Sequence, residues 1–416
     1  MIAGTPRRTP QRIGVLVDDF ALLAGATDFI VGFVDGLVRA AEGRDVVLVY
    51  RTAPPWWLWR GAARRTKALL TGKRAPHGPD WQGLHERLRQ AGLPELPVLI
   101  VPRDETALVR LCRRERIDVI GPLTNPPFGR MPIPWLGYLF DFQHRHLPHF
   151  FTIDAITGRD RLFRRMLEKA DAVVVNAADV RRDCGQYFPG LEERVLVLPF
   201  SAAPKAEWLE VDHEAARRKY GLGSRYFIVS NQFWLHKRHE VAIEAFARIA
   251  HEVADLELVM TGATDDPRSP TRLADIDALI DRLGIAGRVH ILGLIPKLDQ
   301  IAIMRSAVAV VQPTAFEGGP GGGSVFDAVA LGVPSLVSSI PVNREIEEHV
   351  TRYFPLDDVV ALAEAMRELI ALPRSDVDPQ VLISAGAARR RAMGQAIWQA
   401  AALAMDHARL TRRVRV

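Results

Sequence analysis

Short runs of β-branched and aliphatic residues recur along the chain, separated by segments whose apolar positions repeat with helical spacing. In the first half the runs fall at Ile13–Asp18, Val46–Tyr50, Val98–Val101, Asp118–Gly121, Leu136–Phe140, Ala172–Val175 and Val195–Leu198. Apolar runs of this length without polar alternation predict strands covered on both faces. Helical segments between them predict βαβ units and a parallel sheet. One helix is expected over Asp28–Ala40, where Phe29, Phe33, Leu37 and Ala40 share a stripe.

The pattern breaks between Ser201 and Arg225 into a polar connector with a short helix, then starts again. Strands are expected at Tyr226–Ser230, Leu256–Thr261, Arg288–Leu292, Val308–Val311 and Ser335–Val337, with Ala242, Phe246, Ile249 and Val253 as the stripe of an intervening helix. From Ser384 the composition is helical, and this segment is expected to pack back across the domain junction. The final TRRVRV is expected to fray. The expected fold class is α/β: two Rossmann-like domains facing each other across a cleft, with a C-terminal helix crossing back. The boundaries are 1–200 for the first domain, 201–224 for a linker, 225–383 for the second domain and 384–416 for the helix. Ligands bind such sheets at the C-terminal ends of their strands.

One stretch in the second domain carries candidate chemistry. Between Pro313 and Pro341 the chain reads PTAFEGGPGGGSVFDAVALGVPSLVSSIP. Ser324 suits a helix N-cap, Gly332 the position past a helix end, and Pro334 cannot continue a helix. A helix is expected from Ser324 to about Leu331. Successive glycine N–H groups at a helix N-terminus make an anion site, because unpaired donors and the helix dipole point the same way. A phosphate-bearing ligand is therefore expected between Gly318 and Ser324. Asp327 has a plainer reading, as the partner of Ser324 in a capping box. Lys237, at the turn after Tyr226–Ser230, is placed to reach such a phosphate, although a lone lysine also serves solubility.

Composition adds limits. The chain has 416 residues, about half hydrophobic, and reads as soluble and globular. Its two cysteines, Cys112 and Cys184, make no metal spacing and suit a reducing, cytoplasmic setting. The start MIAGTPRRTP leads into a strand and does not read as a signal peptide, and no run is long and apolar enough to span a membrane. Net charge is +5 and the pI about 9.4. The charge is uneven. Arg51 to Arg74 carries seven basic residues and no acid, with Trp56, Trp57 and Trp59 among them. That mixture suits the interface of an anionic membrane, so peripheral attachment is expected; a solvated loop or a lid with buried tryptophans is the alternative. No recognised nucleic-acid module appears, and a nucleic-acid partner is not expected. His144, His146 and His149 lie close in sequence, but no cysteine or acid is arranged to complete a metal site, and none is expected.

The segments NQFWLHKRH, VMTGATDDPRSP, HILGLIPKLDQ, VVQPTAFEGGPGGGSVFDAVALGVP and SSIPVNREI follow each other in order across Tyr226–Glu345. In this order they resemble the donor-binding half of retaining glycosyltransferases of family 4, which have the GT-B fold. The first half resembles the family more weakly, through YLFDFQHRHLPHFF and the segments after it. The resemblance implies a nucleotide-diphosphate sugar donor and no cofactor. Lys237 matches the family lysine that neutralises the diphosphate. Glu317 matches the acid near the sugar and Asp327 the acid on the ribose hydroxyls. The amides of Gly322, Gly323 and Ser324 would hold phosphate, Ile295 would lie against the nucleobase, and Gly25 would face the donor phosphates.

Several departures stand out. Gln232 occupies the position of the family arginine. The loop between the two acids has nine residues, longer than usual, and the second acid is the shorter Asp327. Phe140-Asp141 stands where many members have His-Asp, so Asp141 and His144 are expected to line the acceptor side. The implied activity is metal-independent sugar transfer, with retention, to a glycan or lipid-linked acceptor. The departures keep two alternatives open: a nucleotide-sugar-binding protein without turnover, and a GT-B sugar-nucleotide epimerase.

Overall fold

The computed structural model describes residues 9–20, 24–52, 81–129, 131–266, 268–373 and 377–413. Most of the basic tryptophan stretch, from residue 53 to 74, lies outside the described residues. Of that stretch, Arg51 is described. Its guanidinium lies 3.1 Å from Asp18 and 2.8 Å from Asp19, so it answers the acids after the first strand.

Two parallel sheets organise the chain. The first holds β1 (Arg12–Leu16), β2 (Asp45–Thr52), β3 (Val98–Pro102), β4 (Val119–Leu123), β5 (Trp135–Leu139), β6 (Ala172–Val175) and β7 (Val195–Val197), in the order β3-β2-β1-β4-β5-β6-β7. The second holds β8 (Arg225–Ser230), β9 (Leu256–Thr261), β10 (Val289–Gly293), β11 (Ala309–Gln312), β12 (Ser335–Ser338) and β13 (Thr351–Phe354), in the order β10-β9-β8-β11-β12-β13. In register, Val15 of β1 lies beside Leu48 of β2 on one side and Gly121 of β4 on the other. Each sheet is covered on both faces, which is why its strands read as continuous apolar runs. In β6, Ala172 and Val174 join one core while Val173 and Val175 join the core on the opposite face. Each expected strand lies in one of the two sheets. The sequence reading omits β13, an edge strand of four residues whose Thr351, Arg352 and Tyr353 are only half-buried.

The C-terminal helix runs from Pro379 to Arg413, so it starts before Ser384. It closes the core of the first domain with Ile397, Trp398, Ala401 and Ala404. Its main contact is the helix Ala24–Arg39, which itself starts before Asp28. A Cβ on Gly394 would fall 1.8 Å from the Gly36 carbonyl oxygen, so the two backbones meet where only glycine fits. The Trp398 indole donates to the Leu37 carbonyl at 3.1 Å.

The domains also meet through one carboxylate. Glu345, just after β12, accepts from the amides of Ala178 and Asp179, both at 2.7 Å. These open the helix Ala178–Tyr187, whose own N-cap is Ala177 and provides no side-chain acceptor. The second domain thus supplies the anion that this helix end attracts.

Among the described residues no helix is long and apolar enough to cross a membrane. Cys112 and Cys184 are free and buried, and burial pushes both thiols up to about 12, so they serve as core packing.

Candidate functional site

The glycine stretch connects β11 to the helix Gly322–Leu331. The helix starts two residues earlier than expected. Its cap is Gly321, in the left-handed region at φ 67°, and Ser324 is not the N-cap. The Ser324 hydroxyl instead donates back to Gln312 Oε1 at 3.2 Å. Gly332 ends the helix at φ 69°, as a glycine past a helix end should. The amide of Gly322 is spent on the Gly319 carbonyl at 3.3 Å, and that of Gly321 on Asn343 Oδ1 at 2.9 Å. Gly323 and Ser324 lie in the first turn, where helix geometry leaves amides without intrahelical partners. The donors left at this helix end are therefore those of Gly323 and Ser324 more than that of Gly322.

Gln312, fully buried at the end of β11, holds this loop and is absent from the sequence reading. Its amide nitrogen donates to Glu317 Oε1 at 2.7 Å and to the Gly321 carbonyl at 3.0 Å. Its oxygen accepts from Asn231 at 2.5 Å as well as from Ser324. One amide thus uses both donors and both lone pairs, and it fixes an acid, a glycine turn and a neighbouring strand end together. A glutamine closing an apolar strand at its C-terminal end was the available signal.

Lys237 and Glu317 meet at this point. Lys237 Nζ donates to Glu317 Oε1 at 2.6 Å, and both side chains are buried. A Cβ on Gly322 would lie 2.7 Å from Glu317 Oε2, so the acid sits directly under the glycine turn. Two buried histidines flank the lysine. Burial, with Lys237 adding to it, pushes His236 down to about 3; burial and then Arg272 push His239 down to about 3. Both imidazoles are neutral at physiological pH.

Asp327 points elsewhere. It is buried and in contact with the Lys297 ammonium. Burial raises its carboxyl above the usual range, and Lys297 opposes that rise. The contact with Lys297, not a capping box, occupies it. Asp327 and Lys297 help line a cavity of about 560 Å³ between the domains, together with Gly322, Gly323, Lys205 and Trp208. Lys205 and Lys297 each lie 5.4 Å from the Trp208 ring centroid, within cation–π range. Ile295, half-buried between β10 and the helix Lys297–Ser306, packs against the adjacent core. Gln232 is exposed in the turn after β8. Gly25 is the second residue of the helix Ala24–Arg39.

On the facing domain, Asp141 reaches the glycine loop. A Cβ on Gly318 would fall 2.9 Å from Asp141 Oδ2. The other oxygen, Oδ1, accepts from the Gln143 amide at 2.9 Å and shapes the turn after β5. Phe140, 40% exposed, packs on Tyr138 with ring centroids 4.6 Å apart.

His144 does not line the cleft, contrary to expectation. It is fully buried among Phe142, Phe151 and Phe163, and its Nε2 lies 3.0 Å from Asp160. Burial depresses its pKa, against the pull of Asp160. His146, two residues on, faces the second domain, with its ring centroid 5.5 Å from that of Phe316. His144 and His146 pair with different acids, Asp160 and Asp183, and do not converge. Among the described residues no three His, Cys, Asp or Glu side chains gather as metal ligands.

Residues 212–386 match the family model described as glycosyl transferases group 1. Solved structures align with nearly the whole chain. HepE of Anabaena, in complex with UDP and glucose, is 13% identical with a TM-score of 0.55, over 93% of this chain and 95% of that one. Sucrose-phosphate synthase of Thermosynechococcus elongatus is 18% identical with a TM-score of 0.56, over 97% and 99%. A glycosyltransferase of Rickettsia africae is 13% identical with a TM-score of 0.57, over 95% and 96%. No curated protein sequence matches the chain. With two facing parallel sheets and these structural neighbours, the fold is GT-B.

Proposed function

We propose that this protein, whose residues 212–386 match the family model described as glycosyl transferases group 1, moves a sugar from a nucleoside-diphosphate donor to an acceptor hydroxyl, with retention of configuration and without a divalent metal. The observation that carries this reading is the buried Lys237–Glu317 pair set under the glycine turn at a helix N-terminus. A leaving nucleoside diphosphate gains negative charge as the glycosidic bond breaks. Fixed donors in a water-poor site stabilise such charge without reorganisation. Glu317 uses one of the three N–H donors of Lys237, and the others suit phosphate oxygens. The amides of Gly323 and Ser324 add the helix dipole. Glu317, held in place by Gln312, would contact the sugar, and Asp327 with Lys297 would meet the ribose. Asp141 would stand on the acceptor side. HepE is seen with UDP and with UDP-glucose, which makes a uridine donor the first to test.

The proposed acceptor is a glycan or a lipid-linked sugar, and the proposed location is the cytoplasmic face of a membrane. Both rest on the basic tryptophan stretch of the sequence, and flotation with anionic liposomes tests them: protein left at the bottom of the gradient removes the membrane part. A second reading, nucleotide-sugar binding without turnover, is favoured by the exposed Gln232 and by Phe140 in place of a polar residue.

A thermal-shift screen with UDP-, GDP- and other nucleotide sugars, followed by transfer assays with Lys237→Ala and Glu317→Ala, tests the main reading. Wild-type-like transfer by both variants refutes the site. Activity lost in chelator and restored by magnesium refutes metal independence.

A further inference from the structure

His146 is an exposed imidazole held by a buried acid. Its side chain is 37% exposed, and its Nε2 lies 2.8 Å from Oδ2 of Asp183, which is buried in the helix Ala178–Tyr187. A carboxylate only accepts, so Nε2 is the donor and the neutral ring keeps Nδ1 as an acceptor. The ring is held on two further sides. Tyr187 meets it edge-on at 6.3 Å, and Phe316 of the facing domain lies at 5.5 Å. Phe316 immediately precedes Glu317, and Asp141 of the same segment abuts Gly318. Residues 141–146 and 316–318 therefore face each other where the two domains close. The helix that carries Asp183 is itself fixed to the second domain through Glu345 at its first amides. The helix is thus tied to both domains, and its Asp183 holds His146.

We infer that His146, held by Asp183, receives the hydrogen bond of the attacking hydroxyl of a sugar acceptor. This inference rests on the glycosyl transfer proposed above. As the acceptor oxygen bonds to the anomeric carbon, the bond from that carbon to the diphosphate oxygen breaks. The hydroxyl proton passes to Nδ1 of His146 and leaves from there to the departing diphosphate, so His146 ends the turnover neutral. Its part is to aim a lone pair of the hydroxyl at the carbon, which needs Nδ1 unprotonated. The groups around the ring are Asp183, Asp179 and Tyr187 on the helix Ala178–Tyr187 and Asp141 on its own segment, with the uncharged Phe316 opposite. The hydrogen bond to Asp183 leads these in raising the pKa of His146 above its ordinary 6.5. The acceptor step should therefore quicken as pH rises through the raised pKa of His146, above 6.5.

The test needs no knowledge of the natural acceptor. The donor is whichever nucleotide sugar raises the melting temperature most, and the readout is release of nucleoside diphosphate to water and to added 1-propanol. His146→Ala should slow release about tenfold or more while leaving the donor Kd within about twofold, in keeping with a role confined to the acceptor. The rising limb of the pH profile above 6.5 should vanish in this variant. In Asp183→Asn, checked for folding by its melting temperature, the limb should shift to lower pH. His146→Ala with wild-type release and an unchanged pH profile overturns the inference alone. A wild-type protein that binds no donor, or binds it and never releases nucleoside diphosphate, overturns the transfer reading and the role of His146 with it.

Discussion

Lys237 Nζ and Glu317 Oε1 stand 2.6 Å apart in the loops that follow two neighbouring strands, β8 and β11, both out of solvent. Removing one partner of a buried pair leaves the other charge uncompensated, at a cost of about 3–5 kcal/mol. Lys237→Ala should therefore lower the free energy of unfolding by about 3 kcal/mol as well as weaken donor binding. The double variant Lys237→Met with Glu317→Gln should recover much of the stability and none of the binding. Urea unfolding and donor titration on the same three proteins separate the two effects. Equal stability in the single and double variants would show that the pair carries no buried charge.

The neutral histidines beside this pair make a pH prediction. His236 and His239 are pushed down to about 3 in the folded state, against about 6.5 unfolded. A depressed folded pKa gives stability that is present above the unfolded value and lost as pH falls below it. Each group adds a slope of up to about 1.4 kcal/mol per pH unit below pH 6.5. The urea midpoint should fall between pH 7 and pH 5, and His239→Leu should make that fall shallower. Identical pH dependence in the variant and the wild type would contradict a neutral buried His239.

Gly318 meets Asp141 across the domain boundary with no room for a methyl group: a Cβ would sit 2.9 Å from Oδ2 and 3.0 Å from the Asp141 Cβ. Gly318→Ala should hold the domains slightly apart without touching either core. Transfer should fall at least tenfold while the melting temperature stays within a few degrees. Unaltered transfer would mean that this contact opens during turnover.

Glu345 makes the cross-domain cap, and its loss should be visible in exchange. In Glu345→Ala the amides of Ala178 and Asp179 lose their acceptor. Their hydrogen exchange should quicken about fivefold to tenfold, in line with the roughly 1 kcal/mol of a helix cap. The amides of β6, in the same domain, should be unaffected. Equal quickening in β6 would point to general destabilisation instead.

The strands were legible because both faces of each sheet are buried, which turns most of them into unbroken apolar runs. β13 was not, since Thr351-Arg352-Tyr353 borders solvent and shows no such run. The glycine loop, Lys237 and Glu317 were legible as a group because their residue types and order are unusual. Which imidazole faces the cleft was hidden. His144 and His146 lie in one short helix, Gln143–His146, and the direction of each side chain depends on that turn and on the acids Asp160 and Asp183 brought by later helices. Gln312 was hidden for a different reason: a polar strand end is a faint signal, and its four partners come from two separate places in the chain, Asn231 and the loop 317–324.

The close approach of Gly36 and Gly394 bears on the order in which the molecule can be made. The helix Pro379–Arg413 is synthesised after the whole second sheet, yet its Ile397, Trp398 and Ala401 complete the core that Ile30, Val34 and Leu37 begin. On the ribosome the domain translated first must emerge with that face of Ala24–Arg39 bare, and it stays bare throughout the synthesis of its partner. The nascent chain thus carries an apolar patch for most of its translation, which chaperones can read, and the C-terminal helix removes it.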